Sequence, residues 1–285
     1  TCKLSHWNTF CKHHLYQRND LTLIPELGRA KRDTMYSYVK SVKEFARTDV
    51  STFIKGKGTV FNRIGADTLR KFHLRACLLA DTRAVPLIKK TPYLPTIEKE
   101  LFFDIETDPM RDICYLHGFI ERTGNNPGTE RYVAFFAKTP SWDDERLAFA
   151  QAWEYVQSSL PAAIYYYSKY ERTWWRKLQK RYPDIASESH IEEMFDPSKA
   201  IDLYYDVVVP CTEWPCNDHS IKTLASYLGF KWRDPSPSGA ASIEWYNRWI
   251  ETGEPNIQQR ILEYNEDDCV ATRVLLDGIL GLLSE

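Results

Sequence analysis

Two carboxylates stand one residue apart in LFFDIETDPM (101–110), where Asp104 and Glu106 follow three large apolar residues. In an extended chain, residues i and i+2 project from one face. The acids therefore point one way while Phe103 and Ile105 point the other, into packing. Two carboxylates so close repel, and one tends to protonate. A divalent cation removes that penalty, and hard oxygen ligands suit Mg²⁺ or Mn²⁺. A strand end that has merely reached solvent would carry the same two residues, so the pair needs support from elsewhere in the chain.

Support comes from ILEYNEDDCVATRVLLDGIL (261–280), whose periodicity is helical. Tyr264 and Asp268 are i and i+4, a turn apart on one face. A phenol beside a carboxylate suits a place where water is held near a metal. Asp267 lies about 100° round the helix from Asp268, on a face that reads as solvated. In IYYYSKYERTWWRKL (164–178) a strand ends in Tyr165, Tyr166 and Tyr167 and a helix opens near Tyr170. Glu171 falls in its first turn, where the helix dipole alone favours an acid by about 0.3–1 kcal/mol. Asp202, in PSKAIDLYYD, is a competing acid that reads equally well as a helix-start residue. Tyr165, Tyr166, Trp174 and Trp175 could each stack on a nucleobase, at about 1–3 kcal/mol. Alternation along the strand and helix assigns at least half of them to the core.

The elements that must position these residues follow from periodicity. LFFDIETD, ICYLHGFIER (113–122) and RYVAFFAK (131–138) read as strands, with TGNNPGTE (123–130) as a loop. DDERLAFAQAWEYVQSSL (143–160) reads as an amphipathic helix, AAIYYYS (162–168) as a strand and KYERTWWRKLQKRY (169–182) as a helix. Three adjacent strands followed by alternation predict an α/β fold, a mixed sheet flanked by helices, over 100–285.

KKTPYLPTIEK (89–99) reads as a linker, and charge divides there. Residues 1–99 hold 19 Lys+Arg against 8 Asp+Glu, while the whole chain of 285 residues has 37 against 39. A basic front and an acidic back suit either two mutually attracting surfaces or a polyanion-binding module joined to a cation-holding one. The basic part, 1–88, reads as a small all-α domain. In IPELGRAKRDTMYSYVKSVKEFA (24–46) and FNRIGADTLRKFHLRACLLA (61–80) a glycine turn precedes helix-forming residues. This arrangement resembles tandem helix-hairpin-helix modules. The resemblance implies DNA phosphate held by backbone N–H groups without sequence reading, with Arg29, Lys31, Arg32, Arg63, Arg70 and Lys71 supplying charge. A plain helical bundle whose glycines only end helices would share the pattern.

F-D-I-E-T, a strand-to-helix turn with an acid, and Y-N-E-D-D-C-V-A-T together resemble the DEDD exonucleases with an RNase H-like fold, in their tyrosine variety. The likeness extends to RecB-family nucleases carrying such a domain, through Asp202-Leu203, Ser220-Ile221-Lys222 and Leu228-Gly229-Phe230. It implies a 3′–5′ exonuclease that hydrolyses DNA phosphodiester bonds, on single-stranded or duplex ends, with two Mg²⁺ or Mn²⁺ ions. Asp104, Glu106, Glu171 and Asp268 would be the ligands, Asp202 the alternative fourth acid, and Tyr264 the residue orienting water. The family's second motif brings Asp after an aromatic residue; here Glu171 follows Tyr170. A non-catalytic DNA-docking module and a structure-specific endonuclease remain the alternatives.

Upstream, Cys2-x-x-Ser5-x₅-Cys11 keeps the spacing with which the related nucleases close an iron–sulfur domain, but with Ser in the middle. The expectation is a remnant over 1–11 with no iron–sulfur cluster, and an upstream RecB-like nuclease domain or helicase as partner in a longer protein. Cys211 and Cys216 near His219 read as loop thiols rather than a zinc site. Seven Cys without a tight framework, no signal-like start and no apolar run of about 20 residues predict a cytoplasmic protein with no membrane partner.

Overall fold

The structure, a computed structural model, describes residues 7–284. The chain forms two units. The first runs to Lys89 and includes Thr212–Tyr227; the second comprises Lys90–Cys211 and the residues from Leu228 onward.

The second unit is built on a five-stranded mixed sheet. Strands β1 (Lys99–Asp108), β2 (Ile113–Thr123) and β3 (Asn126–Phe136) form an antiparallel meander, and β4 (Ala163–Tyr166) and β5 (Ala200–Asp202) run parallel to β1, in the order β3-β2-β1-β4-β5. The α/β architecture agrees with the sequence expectation. The stretch 123–130 does not form an open loop. Gly124 and Asn125 both take positive φ, 64° and 52°, and β3 begins directly after them. Two consecutive left-handed residues match the twist of the flanking strands and let the ladder start at once.

Alternation along β1 separates packing from chemistry. Leu101, Phe103 and Ile105 enter a buried cluster with Phe119, Phe149, Trp175 and Leu178. Phe103 stacks on Phe119 at 4.7 Å and meets Trp175 edge-on at 5.1 Å. The helices over this cluster are α5 (Trp142–Ser159), α6 (Tyr170–Arg181) and α7 (Glu188–Met194). The α5 start is capped by Ser141, which accepts from the Asp144 N–H, and Asp143, Asp144 and Glu145 occupy its first turn, where acids suit the helix dipole. A second cluster joins β2 to α8 (Gly239–Thr252) and α9 (Pro255–Ser284) through Tyr115, Leu116, Tyr246, Ile261 and Tyr264. The C-terminal helix is longer at both ends than the expected 261–280.

The first unit departs further from expectation. Its helices before Lys89 are α1 (Asn8–Arg18), α2 (Gly28–Met35), α3 (Val42–Ala46) and α4 (Ala66–Ala80), and Ile221–Tyr227 adds a short one. Directly before the turn into α2 stands a 3₁₀ turn, Leu21–Leu23, which separates it from α1. Ahead of α4 come a second such turn, Val50–Phe53, and a two-stranded ribbon of Ile54–Lys55 and Gly58–Thr59. The unit is therefore not all-helical, and neither glycine turn is flanked by two full helices. Asp20 and Asp49 explain the short turns, because each accepts from a backbone N–H two residues on, that of Thr22 and of Ser51, a local competitor of helix. The Ala66 N–H at the start of α4 is taken by the Lys57 carbonyl, at 3.2 Å.

Thr212–Tyr227 joins this unit although the sequence reading placed it in 100–285. Thr212 and Glu213 pair with Ile88 and Leu87. Glu213 receives Arg75 through two bonds, 2.7 and 3.2 Å, and Lys89 at 2.9 Å. A charge so deeply buried is tolerated only with such partners. Cys2 and Ser5 lie outside the described residues; Cys11 is half-buried. No helix among the described residues is long and apolar enough to cross a membrane.

His117 on β2 is fully buried, and its Nδ1 accepts from Trp175 Nε1 at 3.2 Å. Burial pulls its pKa from 6.5 to about 3. The unfolded chain thus takes up a proton that the folded chain refuses. Stability from this group is whole above pH 6.5 and declines as pH falls toward 3, by about 1.4 kcal/mol per pH unit. Urea unfolding of His117→Asn should show a shallower loss of stability than wild type between pH 6.5 and about 5. Parallel curves would contradict the assignment.

Candidate metal centre

Three distant acids converge on the polar face of β1. Asp104 lies opposite Gly118 of β2 and Glu106 opposite Leu116. Asp268 reaches them from α9. One carboxylate oxygen from each lies within 4.8 Å of the other two. Glu106 and Asp268 are buried and Asp104 half-buried. Tyr264, one turn before Asp268, is hydrogen-bonded to it and buried at 3% exposure. Its pKa is raised by burial first, then by the charges of Asp268, Glu106 and Asp104. The phenol therefore stays protonated across the physiological range.

Glu171 opens α6 and is buried at 4% exposure; its Oε2 has no hydrogen-bond partner. Burial pushes its pKa well above the carboxylate range, and the charges of Asp202 and Asp268 add to the rise. The Tyr170 hydroxyl meets Thr107 Oγ1 at 2.6 Å, which ties the start of α6 to the end of β1. Asp202 closes β5. Its Oδ1 accepts the N–H groups of Ser168, Tyr204 and Tyr205 at 2.9, 3.0 and 3.1 Å. It is thus the last residue of a strand and the cap of the turn that follows.

Other expected residues fall elsewhere. Tyr166 and Trp174 sit in the aromatic core at 3% and 7% exposure, Tyr166 edge-on to Phe195; neither offers a face for a base, because β4 is covered by helices. Asp267 is not solvated. It is buried and bound by the backbone N–H and guanidinium of Arg233, at 2.8 and 2.9 Å. In the first unit Arg29 and Arg32 pair with Asp33, Arg70 with Asp67 and Lys71 with Glu26. Lys31 bonds the Glu26 carbonyl and covers the Phe72 ring. Arg63 is exposed, at a positive φ of 62°. Among the described residues the only metal-like grouping is the acidic one, so Cys211, Cys216 and His219 form no such cluster.

Sequence reasoning missed the groups that hold the acids. Asn265 Nδ2 donates to Asp104 Oδ2 at 2.8 Å, and Trp232 Nε1 donates to Asp268 Oδ1 at 2.7 Å. Asn265 stood inside the YNEDD run. Gly118, an isolated glycine in the apolar strand, was the available signal of a close approach. Trp232 follows the Leu228-Gly229-Phe230 run by two residues, but a lone Trp there carries no periodicity that points it at Asp268.

The donor set fits a hard divalent cation. It consists of carboxylate oxygens only, and one buried oxygen of Glu171 lacks a partner, as an electron pair reserved for a ligand would. A mixed sheet with acids on its central strand, facing a C-terminal helix that adds another, defines an RNase H-like domain. The chain belongs to the RNase_H_2 family of the RNase H superfamily, whose family model matches residues 101–280. Comparison with curated proteins and with solved structures returns no match.

Glu171 generates a test. Its raised pKa means that the folded, metal-free protein keeps a proton that the unfolded chain releases above about pH 4.5. Stability therefore falls as pH rises from there, by about 1.4 kcal/mol per unit until the raised pKa is passed. In EDTA, Glu171→Gln should remove that slope and be the more stable protein at pH 7. Melting curves that shift in parallel for both proteins would refute a protonated Glu171.

Proposed function

We propose that this chain is a divalent-metal-dependent nuclease that removes nucleotides from the 3′ end of DNA, with Mg²⁺ or Mn²⁺ as cofactor. The observation that carries the reading is the meeting of Asp104, Glu106 and Asp268 within 4.8 Å on the scaffold of an RNase H superfamily member. Two such ions supply a Lewis acid at the scissile phosphate and a water of lowered pKa. Asp104, Glu106 and Asp268 would hold the ions, with Glu171 as the fourth ligand. Tyr264, kept protonated and donating to Asp268, would orient the attacking water through its oxygen lone pairs and does not act as general base.

The strand is held by residues other than those the sequence suggested. With Tyr166 and Trp174 in the core, the exposed aromatics beside the acids are Tyr170 and Tyr205, at 48% and 44% exposure. Lys169 Nζ lies 4.3 Å from the centre of the Tyr205 ring. Tyr205 is tied to Asp202 through its N–H and Tyr170 to Thr107 through its hydroxyl. A cation and two open rings on this rim suit phosphate and base together. In the first unit Arg29, Arg32, Arg70 and Lys71 are engaged in surface pairs worth about 0–1 kcal/mol, which a phosphate backbone can displace. That supports a sequence-independent DNA grip there.

Two experiments test this. A 3′-labelled single strand incubated with Mn²⁺ should release labelled mononucleotide, and Asp104→Asn should lower the rate by more than about 100-fold, beyond the usual effect of an outer partner. Binding without release would favour a docking module, and cleavage of a circular single strand would favour an endonuclease. Tyr205→Ala should raise KM about tenfold with kcat retained, as expected for one lost stacking contact. An unchanged KM would remove the rim from the substrate path.

A further inference from the structure

Asn265 is wholly buried and reaches from α9 across all three antiparallel strands. Its Nδ2 donates to Asp104 Oδ2 on β1 at 2.8 Å, and its Oδ1 accepts the Tyr132 hydroxyl of β3 at 2.8 Å. Between them on β2 is Gly118, in register with Asp104. A Cβ at Gly118 would stand 1.6 Å from Asn265 Oδ1 and 2.8 Å from its Cγ. No side chain larger than hydrogen is compatible with Asn265 in this position.

The three groups have one logic. An amide has a donor end and an acceptor end. Turned over, Asn265 would set its carbonyl against the carboxylate of Asp104, acceptor against acceptor. The Asp104 carboxylate, which only accepts, prevents this, and the Tyr132 hydroxyl, donating to the carbonyl end, completes the orientation. Burial and the nearby charges hold the Tyr132 pKa well above its usual value, so the hydroxyl keeps its proton. Gly118 supplies the space.

We propose that Asn265, oriented by Tyr132 and admitted by Gly118, is a positioning residue that fixes the Asp104 carboxylate for cation binding. The inference rests on the nuclease reading and deepens it. It names the chain's own means of holding one of the acids that would bind the ions. Partners of this kind act on metal affinity through the ligand they orient, by about 10–100-fold.

The test uses Mn²⁺ alone, titrated calorimetrically into the full chain without nucleic acid. Asn265→Ala should weaken Mn²⁺ binding by about 10–100-fold, and Gly118→Ala should do the same by expelling the amide. Tyr132→Phe, which deletes a single oxygen, should weaken binding by itself. The double variant Tyr132→Phe/Asn265→Ala should be no weaker than Asn265→Ala alone, because Tyr132 acts only through the amide. Additive losses in the double variant would overturn the proposal, as would wild-type affinity in Tyr132→Phe. If Asn265→Ala fails to fold, Tyr132→Phe and its Mn²⁺ affinity still decide. A wild-type chain that takes up no Mn²⁺ sinks the nuclease reading and this inference together. Wild-type uptake that Tyr132→Phe leaves unaltered sinks this inference only.

Discussion

Repulsion among carboxylates is the constraint around which the second unit is built. Asp104, Glu106 and Asp268 bring carboxylate oxygens within 4.8 Å of one another, and like charges so close repel. The chain answers with donors and with a proton. Asn265 donates to Asp104, Trp232 and Tyr264 bond Asp268, three backbone N–H groups converge on Asp202, and burial keeps Glu171 protonated. Each of these is a hydrogen bond to a charged group or the removal of a charge, and such terms are individually worth more than neutral pairs. Together they let acids assemble on a sheet whose other face is among the most densely aromatic parts of the molecule.

That aromatic face is what makes the polar one stiff. Phe103 and Ile105 alternate with Asp104 and Glu106, so the backbone that carries the acids is fixed by stacking of Phe103 on Phe119 and by the edge of Trp175. Trp175 in turn donates to His117, which leaves no unpaired polar group on its ring. The same alternation places Gly118 on the acid side of β2, where its missing side chain leaves room for Asn265. The positions of β1 are thus shared between a rigid core and a charged site, and α9 closes the site with a face that is buried along most of its length.

The parts of this arrangement that follow from local periodicity were legible in the sequence. Asp104 and Glu106 declare a common face by their spacing, Tyr264 and Asp268 by theirs, and both pairs meet as the FDIET and YNEDD runs imply. What could not be read was set by contacts distant in the chain. Asp267 looks solvated on a helical wheel until Arg233 arrives from 34 residues away. Tyr166 and Trp174 look available for stacking until α7 brings Phe195 over β4. Thr212–Tyr227 looks continuous with its neighbours until Arg75 draws Glu213 into the first unit. The three-residue strand Ala200–Asp202 carries too few residues to show any period. At Gly124-Asn125 two residues at positive φ close a tight hairpin where the sequence pattern alone suggests a loop.

The choice between Glu171 and Asp202 as the fourth acid is an argument about spare electron pairs. Asp202 is the better matched residue type, but Oδ1 is shared among three N–H donors of the chain turn that it caps. Moving it toward a cation would uncap that turn, at about 1 kcal/mol for a lost cap and more for buried N–H groups left unpaired. Glu171 has the longer side chain, a buried oxygen without a partner, and a pKa raised first by burial and then by the charges of Asp202 and Asp268. A cation beside it reverses the sign of that balance. The proton leaves, the desolvation that raised the pKa is offset by direct attraction, and no existing bond of Oε2 is broken. On these grounds the proposed nuclease reading takes Glu171 as the fourth ligand and Asp202 as its brace, with Asp202 holding the Ser168 N–H, and so the start of α6, in place.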